Sequence, residues 1–200
     1  MNLPNKLTSS RFFLAALLMV LLVVDFRFSK TLALLVFIVA ALTDYLDGQL
    51  ARKKYGVTNF GKLMDPLADK VMVCAALVGF VEIRMHAGGP SLVPAFVVVI
   101  IIAREFLVTG LRLLAASQGK VLAAGNWGKH KTAWQMIAII WTLAGLALLH
   151  DILPAGELHG QVQQWFPYSV WAAMTVVVAI TVISGGIYFY EQRHMILESS

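Results

Sequence analysis

Charged residues are scarce in this sequence. Asp, Glu, Lys and Arg make up 14% of the 200 residues and hydrophobic residues make up 59%, whereas soluble domains contain roughly 25% charged residues. A soluble domain of this length cannot bury so much apolar surface, which excludes an ordinary soluble protein. Cysteine is nearly absent, and the lone Cys74 excludes an intrachain disulfide. The composition predicts an all-α integral membrane protein with a single domain, residues 1–200.

Long apolar runs are missing from the first half of the chain. The uncharged stretches Phe12 to Val24 and Thr31 to Thr43 are shorter than the ~20 residues that cross a bilayer, so their helices must continue through polar residues. We predict six transmembrane helices, at about 10–28, 31–53, 62–85, 91–117, 129–150 and 168–191, with 150–168 as an external loop that could include a short surface helix. Thirteen of the 16 Lys and Arg residues lie toward the side with both termini, which predicts that this side is cytoplasmic.

Two pairs of aspartates interrupt this apolar sequence. Asp44 and Asp47 are three residues apart, and Asp65 and Asp69 are four apart, so each pair shares one face of its helix. The segment between the pairs is short, which predicts antiparallel neighbouring helices that bring the four carboxylates together near the cytoplasmic surface. Four bare carboxylates would repel one another and would take up protons or bind cations.

Nearby Lys and Arg residues could neutralise these carboxylates, which is the simplest alternative. Salt bridges, however, require no small residues at fixed positions, whereas Gly48 and Ala51 lie on the stripe of Asp44 and Asp47. Small residues in membrane helices usually allow close helix packing; beside four aspartates they favour room for a ligand. Carboxylate oxygens are preferred by Mg²⁺ and Mn²⁺, which often share their coordination with a substrate phosphate. The sequence therefore predicts a site for two such ions.

The pattern Asp-x2-Asp-Gly-x2-Ala-Arg-x8-Gly-x3-Asp-x3-Asp, from Asp44 to Asp69, resembles the signature of the CDP-alcohol phosphatidyltransferase family at every fixed position. The resemblance implies that CDP-diacylglycerol is the lipid substrate, that its phosphatidyl group passes to an alcohol, and that CMP is released. It also implies that Asp44, Asp47, Asp65 and Asp69 bind the metals, with Asp69 as the general base. The nucleotide would be bound by residues of three segments: Asn5, Thr8, Gly48, Ala51, Arg52, Thr58 and Gly61.

A basic cluster later in the chain bears on the acceptor alcohol. Its members are Arg104, Arg112, Lys129, Lys131 and Thr132. A helix N-terminus with two lysines is a good anion site, and an Arg in an apolar span usually serves a site. The lysines could instead be positive-inside anchors, Arg112 could extend to the headgroups, and Arg104 could form a buried pair with Glu105.

The segments around this cluster, Ala103 to Glu105 and Gly128 to Thr132, resemble those of the branch of the family that uses sn-glycerol 3-phosphate. The resemblance implies a phosphatidylglycerophosphate product. Inositol phosphate remains an alternative acceptor on charge alone, and serine would leave the basic cluster unexplained.

Two other classes of protein compete with an enzyme. A cation transporter would continue its polar residues across the membrane, and a purely structural bundle would leave the aspartates without a role. Both fit less well, because the acidic residues lie toward one face. By resemblance we expect a homodimer in the bacterial inner membrane, in contact with membrane lipids and without a nucleic-acid partner.

Overall fold

The computed structural model describes the backbone of residues 3–54, 59–85, 89–117 and 126–198, and the side chains of residues 10–43, 70–85, 89–117 and 128–192. The described chain is helical apart from its connections, and its only strand-like pairing is an isolated bridge between Arg84 and Ser91. The helices are α1 (Leu3–Val23), α2 (Ser29–Lys54), α3 (Asn59–Glu82), α4 (Ala95–Ser117), α5 (Asn126–Ala147), a π-helical turn (Leu148–Ile152) and α6 (Glu157–Glu198). The all-α prediction is confirmed.

The largest departure from the predicted helices is at α6, which begins at Glu157 and contains Pro167. The loop with a short surface helix that was predicted over 150–168 is therefore wrong from Glu157 onward, where Gly160 and Pro167 lie within α6. His159, Val162, Phe166 and Val170 are buried or half-buried at spacings of three or four residues and form a helical stripe. The Phe166 ring packs on Gly145 of α5, where a Cβ atom would overlap it. Tertiary packing outweighs local propensity here.

Helix α1 also begins earlier than expected, at Leu3 instead of about residue 10. Pro4 lies in its first turn, where a missing N–H group costs nothing because that group has no partner within the helix.

The bundle is held by contacts between helices that are distant in sequence. Helix α1 packs against α2 and α3, α5 packs against α2 and α6, and α4 packs against α3 and α6. Leu18, Phe37, Phe80, Ile101 and Leu143 are fully buried along this core. Large apolar side chains also cover the outer surface; among them are Phe13, Val39, Phe96, Ile137 and Trp165. An apolar exterior around an apolar core is what a lipid environment requires.

Two described helical stretches are long and apolar enough to cross a membrane. They are Gly128–Ile152, with mean hydropathy 1.7, and Glu157–Gln192, with mean hydropathy 2.1. Shorter apolar stretches occur at Ser10–Val23 and Ser29–Thr43. Together with the apolar exterior, they make this a membrane protein.

Charged side chains stabilise the turn between α1 and α2. Buried Lys30 donates to the Leu22 carbonyl (2.8 Å) and to Asp25 Oδ1 (2.9 Å), so it caps the C-terminus of α1. Asp151 Oδ2 accepts from the Thr31 N–H (2.6 Å) and the Thr31 hydroxyl (2.8 Å), so it caps the N-terminus of α2. Phe28 takes a positive φ of 68° in this turn. Each charge here satisfies a helix end.

Candidate active site

The four aspartates lie on helical backbone, as predicted. Asp44 and Asp47 are in the second half of α2, and Asp65 and Asp69 are in the first half of α3. Each pair therefore shares a helix face. Their side chains lie outside the described residues, as do those of the predicted nucleotide-binding residues: Asn5, Thr8, Gly48, Ala51, Arg52, Thr58 and Gly61.

The donor chemistry of these positions fits a hard divalent cation, because carboxylate oxygens are the ligands that Mg²⁺ and Mn²⁺ prefer. Within the residues whose side chains are described, no three His, Cys, Asp or Glu residues gather into a possible metal site. Metal binding by the aspartate positions of α2 and α3 stays a prediction.

A cavity of about 270 Å³ lies beside these positions. Its wall includes Ala40 and Ala41, one turn before Asp44 on α2, and Lys70, the residue after Asp69 on α3. Other walls come from α1, α4 and α5, and their polar members are Arg11, Glu105, Thr132 and Gln135. The cavity thus joins the aspartate-bearing helices to part of the predicted acceptor cluster.

Glu105 is the centre of the charge network at this cavity. Its carboxylate accepts from Lys70 Nζ of α3 at 2.5 Å and from Lys131 Nζ of α5, and it lies 3.4 Å from Arg104 Nη1. Lys131 also donates to Gln135 Oε1, one helical turn further along α5. Lys131 is 1% exposed. Among the residues whose side chains are described, three cationic groups from three helices therefore share one carboxylate.

Arg104 is held between α4 and α6. Its Nη2 donates to the Ser184 hydroxyl at 3.0 Å, and its Nε is buried without a hydrogen-bond partner in the described chain. Gly185 lies against it: a Cβ atom at that position would be 3.3 Å from Arg104 Cγ. The small residues of α6 make room for this guanidinium.

Arg112 lies two turns after Arg104 and also contacts α6. Its guanidinium carbon is 5.7 Å from the centre of the Tyr188 ring, within the range of a cation–π contact. Arg112 Nε and the Tyr188 hydroxyl are both buried without hydrogen-bond partners among the described residues. The two arginines thus follow one face of α4 toward the same stretch of α6.

The remaining predicted acceptor residues, Lys129 and Thr132, are both exposed. Thr132 also lines the cavity, and its hydroxyl donates to the Gly128 carbonyl at 3.1 Å. Of the five predicted acceptor residues, Thr132 alone is among the lining residues of this cavity. Arg104 and Lys131 are connected to it through Glu105, which lines it.

Sequence reasoning missed four residues of this region: Lys70, Gln135, Ser184 and Tyr188. Gln135 could have been found, because it stands four residues after Lys131 in an apolar helix. Lys70 follows Asp69 directly and precedes an uncharged run, which was a signal as well. Ser184 and Tyr188 left no signal, because their importance depends on how α6 packs against α4.

These features together define a candidate site, where helix positions that carry aspartates lie near a cluster of cationic side chains. The profile of the CDP-alcohol phosphatidyltransferase family matches residues 1–183, and the chain belongs to this family. It is therefore a phosphotransferase, which removes the transporter and the structural bundle as alternatives. Enzymes of the family generally depend on a divalent cation.

Several curated relatives share one name. The chain is 41% identical to the CDP-diacylglycerol–glycerol-3-phosphate 3-phosphatidyltransferase of Bacillus subtilis, over 94% of this chain and 93% of that protein. Proteins with this name in Pseudomonas fluorescens (38% identity, 74% of this chain and 81% of that one) and Haemophilus influenzae (40%, 69% and 73%) are also similar.

Proposed function

We propose that this enzyme transfers the phosphatidyl group of CDP-diacylglycerol to sn-glycerol 3-phosphate, giving phosphatidylglycerophosphate and CMP. The observation that carries the proposal is the group of three cations that gather at Glu105 beside the aspartate-bearing helices. A phosphorylated acceptor would complete that charge balance, whereas serine would not. The names of the relatives favour glycerol 3-phosphate over inositol phosphate.

The proposed chemistry is an in-line displacement at phosphorus. The acceptor hydroxyl oxygen forms a bond to the phosphatidyl phosphorus, the bond from that phosphorus to CMP breaks, and CMP leaves with its phosphate. Asp69 would accept the hydroxyl proton, and Asp44, Asp47, Asp65 and Asp69 would hold two divalent cations, Mg²⁺ or Mn²⁺. When bound, these cations would stabilise negative charge on the diphosphate.

The remaining residues would position the two substrates. Arg104, Arg112, Lys129, Lys131 and Thr132 would bind the phosphate of the acceptor, because guanidinium and ammonium groups form strong charge-assisted hydrogen bonds. The nucleotide would lie against the small residues that follow Asp47. We further propose six membrane spans with both termini in the cytoplasm, a bacterial inner-membrane location and a homodimer.

The direct test is CMP release by the purified protein in detergent with CDP-diacylglycerol and Mg²⁺. Glycerol 3-phosphate, inositol phosphate and serine are supplied separately. We expect release with glycerol 3-phosphate only, and loss of release on addition of a chelator. Release with another acceptor alone would overturn the acceptor assignment, and release that persists after chelation would overturn the metal assignment.

The general base is tested by Asp69→Asn, with Asp151→Asn as the matched control at the opposite end of the bundle. We expect Asp69→Asn to lower the rate by at least ~100-fold, the usual scale of general base catalysis, whereas Asp151→Asn leaves the rate of folded protein within about twofold. Equal rates in the two variants would show that Asp69 is not the base.

A further inference from the structure

The last helix carries polar groups that the proposed function has not yet used. Tyr188 is 7% exposed, and its hydroxyl is buried without a partner in the described chain. A buried hydroxyl without a hydrogen bond costs free energy, so native proteins rarely leave one without a reason. Two further donors beside α6, Arg104 Nε and Arg112 Nε, are buried and unpartnered as well.

These donors lie at the contact between α4 and α6. Arg104 and Arg112 are eight residues apart on α4, and each contacts α6. Their contacts on α6, Ser184 and Tyr188, are four residues apart, so they lie on the same face of that helix. One face of α6 therefore holds both guanidinium groups.

We propose that Tyr188 is an acceptor-binding residue, whose hydroxyl donates to the phosphate of the acceptor between Arg104 and Arg112. Its ring holds Arg112, while Ser184 and Gly185 position Arg104. The inference rests on the proposed function, because it assigns the residues that recognise a phosphorylated alcohol. Ser184, Gly185 and Tyr188 lie just beyond residue 183, where the match to the family profile ends.

The test compares Tyr188→Phe with wild type in steady-state assays of CMP release. Phe keeps the ring under Arg112 and removes only the hydroxyl. Loss of a hydrogen bond to a charged group should raise the KM for glycerol 3-phosphate by about ten- to a hundredfold, while the KM for CDP-diacylglycerol stays within about twofold. Tyr168→Phe is the matched control, because Tyr168 is an exposed tyrosine of the same helix.

The outcomes of this test distinguish the role of Tyr188 from the proposed function on which it rests. An unchanged KM for glycerol 3-phosphate in Tyr188→Phe, with active wild type, overturns the role of Tyr188 alone. Equal increases in both KM values also overturn it, because they indicate a general structural effect. Inactivity of folded wild type with glycerol 3-phosphate overturns the proposed function, and the inference with it.

Discussion

The two ends of the helical bundle use buried charge in different ways. At the turn between α1 and α2, Lys30 and Asp151 bond to backbone groups at helix ends, and Lys30 has one carboxylate partner. At the cavity, Lys70, Lys131 and Arg104 share Glu105, and several donors remain unused. At the turn, the charged side chains that stabilise the fold have their partners within the chain. At the proposed acceptor site, the described residues include more cations than carboxylates.

The largest expected effect follows from removing the one carboxylate of the cavity network. Glu105→Gln leaves Lys70, Lys131 and Arg104 close together without compensation, and breaking a buried ion pair from one side costs about 3–5 kcal/mol. The apparent melting temperature in detergent should fall clearly. Glycerol 3-phosphate should raise it more in this variant than in wild type, because a bound anion replaces the lost charge.

Glu157→Gln is the control for that experiment, since it makes the same change at an exposed position at the start of α6. An equal fall in melting temperature for both variants would contradict the central role of Glu105. Equal stabilisation of wild type and Glu105→Gln by glycerol 3-phosphate would contradict the view that the cavity cations await an anion.

A smaller effect is expected at the opposite end from Lys30→Met. Met fills the space of the lysine stem but leaves the Leu22 carbonyl without its charged donor, so the free energy of unfolding should fall by about 1.5–3 kcal/mol. The KM for glycerol 3-phosphate should not change, because Lys30 contacts only the turn and the end of α1. Thermal unfolding and steady-state assays on the same preparation measure both. A changed KM for glycerol 3-phosphate would contradict the view that Lys30 serves the fold and not the acceptor site.

The smallest effect is expected from Asp25→Asn. The hydrogen bond and charge of Lys30 lower the pKa of the Asp25 carboxyl from its ordinary 3.8. The ion pair therefore stabilises the protein fully above pH 3.8, and this stabilisation is lost as the pH falls through the lowered pKa of Asp25. Asp25 is exposed to solvent, so the variant should lose at most ~1 kcal/mol at neutral pH. The free energies of unfolding of the variant and of wild type should become equal in acid, which unfolding at several pH values would measure. A difference that persists in acid would mean that the charge of Asp25 is not its cause.

The sequence predicted what depends on local pattern. The all-helical class and the helices that carry Asp44 to Asp69 followed from hydrophobic runs and residue spacing, and all are present in the described chain. Lys131 was expected to be a phosphate ligand at a helix start, yet it is buried against Glu105 and Gln135. Its role toward the acceptor stays a prediction. Contacts between α3, α4 and α5 create this network, and no local pattern encodes them.

The packing of α6 was the hardest feature to foresee. Gly and Pro near residue 160 indicated a loop, but a stripe from His159 to Val170 continues the helix against α5. The contacts of Ser184 and Tyr188 with the arginines of α4 depend on the angle and register of two helices. Side chains ~80 residues apart in sequence meet only through that geometry, so their partnership leaves no trace in spacing or composition.

The length of α6 has a consequence for where the enzyme can work. Its 42 residues correspond to ~63 Å, about twice the ~30 Å thickness of a hydrocarbon core. Trp165, Tyr168 and Trp171 lie exposed in its first half, where aromatic rings favour the headgroup region. A helix that is longer than the bilayer is thick can adapt to a thicker or thinner membrane by small changes of tilt or depth. The excess length therefore lets this helix keep both of its ends outside the hydrocarbon core when the membrane becomes thicker.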